Sequence, residues 1–134
     1  KLSFSYSSNT DIDRLNILNA TIIAMKKAVI KLLEYTGLNP SEVIVLVDGN
    51  KKIDGLNLCQ LPIIKGDTKS LSIATASIFA KVIRDRWMNV IDMLCPSYQF
   101  KRHKGYPTKL HRELIEKYGF SPYHRKSFSP SLKL

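Results

Sequence analysis

Val43-Ile44-Val45-Leu46-Val47-Asp48-Gly49-Asn50 holds five consecutive apolar residues, four of them β-branched, and then breaks into Asp-Gly-Asn. A run with no polar face reads as a strand covered on both sides, in the middle of a parallel or mixed sheet. Asp-Gly-Asn cannot continue such a strand and is strong turn chemistry. Asp48 is thereby set at the carboxyl end of a central strand, the edge of an open α/β sheet where ligands and catalytic groups collect. An isolated Asp-Gly more often does nothing except start a turn, so Asp48 needs company before it means more.

On the amino-terminal side, Leu2, Phe4 and Tyr6 alternate with Ser3, Ser5 and Ser7, which predicts a strand with one buried face. Ser8-Asn9-Thr10-Asp11 stops it and offers helix-capping oxygens. Leu15, Leu18, Ile22, Met25, Val29, Leu32 and Leu33 then recur at helical spacing as far as Tyr35, and Gly37 with Asn39-Pro40 closes that helix. Strand, long helix and strand in that order suggest a crossover unit.

On the other side, Leu61-Pro62-Ile63-Ile64 reads as a short or edge strand, because Pro62 cannot donate to a ladder. Lys65-Gly66-Asp67 turns the chain. A helix is expected from about Ser70 to Leu94, ended by Pro96, and a shorter one from Lys109 to Tyr118, ended by Gly119. The rest of the tail reads as loop, spaced by Pro107, Pro122 and Pro130.

The bulk properties exclude several classes. With 134 residues, 44% hydrophobic and 24% charged, the chain is long and apolar enough for one folded domain and is not a disordered segment. No apolar run approaches a membrane span. Cys59 and Cys95 give no disulfide framework and no metal-ligand spacing, which suits a reducing, cytoplasmic compartment. The net charge is +10, and it is uneven: residues 97–134 carry nine Lys/Arg against two Asp/Glu, and all three histidines. Basic residues interleaved with Tyr98, Phe100, Tyr106, Tyr118, Tyr123 and Phe128 form the footprint expected for a polyanion, most simply nucleic acid. A basic but merely solvated surface is an equally good reading of charge alone.

Three groups could carry chemistry. Asp48 is the first. Ser77, Lys81 and Asp85 stand at i, i+4 and i+8 on one face of the second long helix, where an ordinary exposed Lys81–Asp85 pair is the commoner reading. A helix whose start is lined by the small residues Ser72, Ala74, Thr75, Ala76, Ser77 and Ala80 can nonetheless approach a sheet closely. Two carboxylates brought together repel unless a cation lies between them, and hard ions such as Mg²⁺ or Mn²⁺ take oxygen ligands. The third group is His103-Lys104-Gly105-Tyr106-Pro107-Thr108. Its fixed backbone could present Tyr106 to a sugar or base, with Lys101, Arg102 and Lys104 on the adjacent phosphates; a tyrosine closing over the core is the plainer alternative.

Read together, Val47-Asp48-Gly49-Asn50, Lys65-Gly66-Asp67, Ala76 to Asp85, His103 to Thr108 and His124 to Phe128 resemble the bacterial ribonuclease HII family, as does Asp13 to Thr21. The blocks fall in order and span nearly the whole chain. The resemblance implies a ribonuclease H-like α/β fold, a mixed sheet flanked by helices with a basic helical and loop C-terminal region. It implies a single partial domain over 1–134, with an α/β core to about residue 96 and a basic extension over 97–134. It implies an endonuclease that hydrolyses the RNA strand of RNA/DNA hybrids and cuts on the 5′ side of ribonucleotides embedded in duplex DNA, using two divalent ions, Mn²⁺ or Mg²⁺. Asp48 and Asp85 would be catalytic and metal-holding, and Tyr106 would pack against the ribonucleotide. Lys81, Ser77, Lys104 and His103 would lie along the substrate. A monomer with nucleic acid as its partner is expected.

The family's Asp-Glu pair, its Gly-Arg-Gly loop and its Ser-Lys-Lys motif do not occur in these 134 residues. As it stands, the chain is therefore expected to lack the first two strands and a helix, to be inactive or weakly active alone, and to be poorly stable. The alternative is a nucleic-acid-binding remnant without catalysis. A structural α/β domain whose tail meets an acidic protein is a third reading.

Overall fold

The computed structural model describes residues 1–128; Pro130 lies outside the described residues. The chain forms a mixed α/β arrangement with a small parallel sheet, and its residues gather into two compact units, Lys1–Phe79 and a second that begins at Ala80.

In the first unit, Ser8 caps helix α1 (Asn9–Leu15) through a capping box. Asp11 N–H donates to Ser8 Oγ at 3.1 Å, and the Asp11 carboxylate accepts from Ser8 N–H at 3.1 Å. The single helix expected here is two. Asn16, at φ 66°, ends α1 and starts α2 (Ile17–Thr36), its side chain accepting from Asn19 N–H. Asn is among the few residues that tolerate positive φ and can cap at the same time, which is why apolar periodicity runs through the break without registering it. Gly37, left-handed at φ 66°, closes α2 as expected.

The strand expected over Leu2 to Tyr6 does not form. Lys1–Ser8 has no ladder partner among the described residues, and a strand without one leaves its N–H and C=O groups unpaired. The alternation is real but faces the other way: Leu2, Phe4 and Tyr6 are exposed while Ser3, Ser5 and Ser7 are half-buried. Ser7 Oγ donates to Ala20 C=O, which ties the segment to α2, and Phe4 meets Phe79 edge to face at 6.2 Å. The strand–helix–strand crossover is lost with that strand.

Strand β1 (Ile44–Asp48) pairs in parallel with β2 (Cys59–Ile63), Val47 opposite Pro62. Only one face of β1 is covered. Val45 and Val47 turn inward against Ile53, Leu56, Ile22, Val29 and Leu58, while Ile44 and Leu46 remain exposed. The expectation of a strand buried on both sides fails because, among the described residues, β1 has one neighbour and one covering layer. The connection from β1 to β2 has no helix. Ile53 and Leu56 plug the core from the loop itself, and Gln60 fixes that loop by accepting from Ile53 N–H at 2.7 Å and donating to the Ile53 and Leu56 carbonyls.

Helix α3 (Leu71–Leu94) and helix α5 (Lys109–Tyr118) fall where the sequence puts them. The stretch between them is more ordered than the expected loop: a 3-10 turn at Pro96–Tyr98 and a short helix α4 (Phe100–His103). Among the described residues no helix is long and apolar enough to cross a membrane, and both cysteines are free.

Candidate functional site

Asp48 stands at the end of β1, on the exposed face shared with Ile44 and Leu46. The next residue, Gly49, takes φ 110°, a conformation that suits glycine, and its N–H donates to Ile63 C=O. Asp48 Oδ1 accepts from Gly66 N–H at 2.8 Å. That bond explains the glycine of Lys65-Gly66-Asp67. A Cβ on Gly66 would lie 2.5 Å from Ile73 Cδ1 and 3.3 Å from Asp48 Oδ1. The glycine lets the turn close onto the carboxylate and holds it by one oxygen.

The other candidates belong to the second unit, except Ser77, which lies exposed on α3 just before it. Lys81 Nζ donates to Asp85 Oδ2 at 2.8 Å. That bond, reinforced by the positive charges of Lys81, Lys104 and Arg84, holds the Asp85 carboxyl below the ordinary carboxylate range. Its other oxygen, Oδ1, is buried with no hydrogen-bond partner among the described residues. A desolvated, unpaired carboxylate oxygen is unfavourable unless a positive group arrives to meet it.

Tyr106 is exposed, yet it does not hang free. Arg84 Nη1 donates to its hydroxyl at 2.9 Å, Arg84 Nη2 donates to Lys104 C=O at 2.7 Å, and the guanidinium carbon sits 4.4 Å from the ring centroid. Lys104 Nζ reaches Asn89 Oδ1 at 2.7 Å. Arg84 and Asn89 were invisible as site residues in the sequence. Arg84 lies within the stretch Ala76 to Asp85, but nothing local to that stretch shows that it meets a tyrosine 22 positions on.

His103 is 4% exposed, and both ring nitrogens are engaged by backbone. Gly105 N–H donates to Nδ1, so that nitrogen is bare and Nε2–H donates to Tyr98 C=O at 2.7 Å. His103 therefore supports the loop carrying Lys104 and Tyr106 from beneath. His111 stacks on it at 4.0 Å. The same logic fixes the other two rings. Ser121 N–H donates to His124 Nδ1, so His124 Nε2–H donates to His111 Nε2 at 3.0 Å, and His111 Nδ1–H donates to Tyr106 C=O at 2.9 Å. The hydrogen bonds thus assign Nε2–H to His103 and His124 and Nδ1–H to His111. Burial, with the charges of His103 and Arg125, keeps His111 below the usual histidine range, and burial, with the charge of His111, brings His124 to about 4.

Asp48 and Asp85 are oxygen donors of the type hard divalent cations take, and Asp85 Oδ1 is a donor waiting for one. In number they fall short, since the described residues contain no group of three or more potential ligands gathered together.

The family model for Ribonuclease HII matches residues 1–130. A Ribonuclease HII of Clostridioides difficile is 53% identical over 121 residues, covering 90% of this chain and 45% of that protein. Those of Shewanella sediminis and Endomicrobium trichonymphae are each 47% identical, covering 96% and 92% of this chain and 61% and 56% of those proteins. The chain spans about half the length of the curated relatives it matches. With a family model matched over nearly the whole chain and relatives at 47–53% identity, the chain belongs to the ribonuclease HII family.

Proposed function

We propose that the whole protein is a metal-dependent endonuclease which hydrolyses the RNA strand of RNA/DNA hybrids and cuts 5′ of ribonucleotides embedded in duplex DNA. We place it in the cytoplasm, acting as a monomer, with both units in one ribonuclease H-like domain. The observation that carries this reading is membership of the ribonuclease HII family over residues 1–130. Relatives about twice as long leave room for the further carboxylates that a two-ion site requires.

In this reading Asp48 and Asp85 would hold Mn²⁺ or Mg²⁺. Bound divalent ions supply the positive charge that activates water and stabilises a leaving oxygen. Gly66 N–H fixes Asp48 through Oδ1, and Lys81 holds Asp85 through Oδ2. Lys81, Ser77 and Lys104 lie along the substrate phosphates, and Tyr106 meets the sugar of the ribonucleotide, whose 2′-hydroxyl distinguishes it from DNA. His103 serves by holding the Tyr106 loop from below.

The test is cleavage of a labelled DNA duplex carrying one ribonucleotide by the full-length protein, with and without Mn²⁺, beside Asp48→Asn and Asp85→Asn. The expected result is metal-dependent cutting that each variant loses by about a hundredfold or more. Salt-sensitive binding without cutting by the unaltered protein would favour a nucleic-acid-binding module instead.

A further inference from the structure

We infer that Arg84 is a positioning residue for Tyr106, one that leaves the ring a single open face and turns the phenol proton outward toward a bound ribonucleotide. The inference rests on the reading above, in which Tyr106 meets the ribonucleotide sugar.

Two geometric facts carry it. The guanidinium carbon lies 4.4 Å from the Tyr106 centroid, so one face of the ring is occupied by the cation, while the residue is 58% exposed overall. A sugar can stack only on the other face. Arg84 Nη1 donates to the phenol oxygen at 2.9 Å. A guanidinium has donors and no acceptor, so the tyrosine's own O–H cannot point back at it. The phenol proton is left to a partner that accepts, such as a ribose oxygen, and the adjacent positive charge makes that proton a better donor. Arg84 thus sets both the side from which Tyr106 is approached and the direction of its hydrogen bond.

The loop has backbone anchors besides the Arg84 Nη2 bond to Lys104 C=O. Tyr106 N–H donates to His103 C=O, and Tyr106 C=O accepts from Thr108 N–H and from His111. Removing the guanidinium should therefore release the side chain and the Lys104 carbonyl while these other anchors hold Tyr106 and Thr108.

The experiment uses the full-length protein and two labelled duplexes, one all DNA and one with a single ribonucleotide. The variants are Arg84→Met, Arg84→Lys, Tyr106→Phe, Tyr106→Ala and the double variant R84M/Y106F. Arg84→Met is expected to raise KM for the ribonucleotide duplex roughly tenfold with kcat little changed, while binding of all-DNA duplex and its salt dependence are unaltered. Arg84→Lys keeps the charge but not the two-pronged hold, and should lose nearly as much. In the Tyr106→Phe background the part of the Arg84→Met effect that runs through the shared Arg84–Tyr106 hydrogen bond should vanish, so the Arg84→Met loss should shrink there.

A loss of equal size on both duplexes, with the salt slope reduced by about one, would mean that Arg84 holds a phosphate, and it overturns the inference. So does an Arg84→Met loss that is the same with and without the Tyr106→Phe change. Tyr106→Ala distinguishes the two levels. If it leaves the ribonucleotide preference intact, the role given to Tyr106 fails and this inference with it. If it abolishes the preference while Arg84→Met does nothing, the inference alone fails.

Discussion

Around Val47 the interior is aliphatic: Val47, Ile53 and Leu56 are buried, with Ile22, Val29, Val45 and Leu58 packed against them. Around Phe100 it is made of rings that hydrogen-bond. Phe100, Tyr98, His103, His111 and His124 lie with centroids 4.0 to 6.0 Å apart, and the Tyr98 hydroxyl donates to the Tyr118 and Gly119 carbonyls. Aliphatic burial is non-directional and tolerates small shifts. A buried imidazole is directional at two atoms, and each unmet N–H or bare nitrogen is penalised in the low-dielectric interior. The second unit obtains precision in placing Lys104 and Tyr106 at the expense of tolerance to substitution and to protons.

The largest expected difference follows from removing one member of each core. His111→Ala deprives the His124 Nε2–H of its acceptor and the Tyr106 carbonyl of a donor, besides leaving a ring-sized gap between Phe100 and His103. A loss of about 3 kcal/mol is expected in urea unfolding. Val47→Ala removes only methyl groups and should cost about 2 kcal/mol. Amide exchange sharpens the comparison: His111→Ala should deprotect Tyr106 and Thr108, while Val47→Ala leaves them protected. Equal losses with equal exchange patterns would break the distinction between the two cores.

Acid should separate them next. The folded-state pKa values of His111 and His124 lie below the unfolded value of 6.5, His124 at about 4. Between these limits the unfolded chain binds more protons than the folded one, so stability rises with pH and falls as pH drops from 6.5 toward 4. The slope is at most about 1.4 kcal/mol per pH unit for each proton. Protonating His124 also forbids its Nδ1 from accepting Ser121 N–H. The groups facing these rings include His103, Arg125, Tyr98, Phe100 and Phe120, and the charges of His103, His111 and Arg125 disfavour the protonated forms. Urea midpoints at pH 7, 6, 5 and 4.5 check this, with His124→Phe expected to flatten the dependence. A flat profile in the unaltered chain would show that water or rearrangement accommodates the charge.

The same contrast explains what the sequence disclosed. The aliphatic region announces itself by periodicity: the β1 run, the α2 pattern and its Gly37 stop, and the α3 span to Pro96 could all be read directly. Its errors arose where a pattern is necessary but not sufficient. Leu2-Phe4-Tyr6 has a strand's alternation and no ladder to join, and Asn16 breaks a helix through backbone geometry that leaves the apolar spacing intact. The ring cluster has no period at all. His103, His111 and His124 lie in three different parts of the chain, so their convergence depends on the fold and was legible only as three basic-tail residues. For the candidate site, the residues were legible by type and by resemblance, but their partners were not. Gly66 beneath Asp48, and Arg84 on Tyr106, are contacts across 18 and 22 positions that no local signal encodes.

The smallest effect compares one device used in both regions. Ser8 caps α1 with a reciprocal bond from Asp11, whereas Thr108 caps α5 by accepting from His111 N–H at 3.2 Å. Each change to Ala should cost about 1 kcal/mol, because a cap satisfies local backbone donors whatever the core behind it. The two differ in acid. The Ser8 hydrogen bonds, and more weakly Arg14, hold the Asp11 carboxyl below 3.8, so its contribution is present above that pH and is lost as pH falls through the lower folded value. The Ser8→Ala deficit should therefore shrink below pH 3.8, while the Thr108→Ala deficit, which involves no carboxylate, should not shrink for that reason. At neutral pH, a Thr108→Ala loss well beyond that of Ser8→Ala would mean that freeing His111 N–H disturbs the stacked rings. Local capping and the imidazole core would then be one cooperative structure.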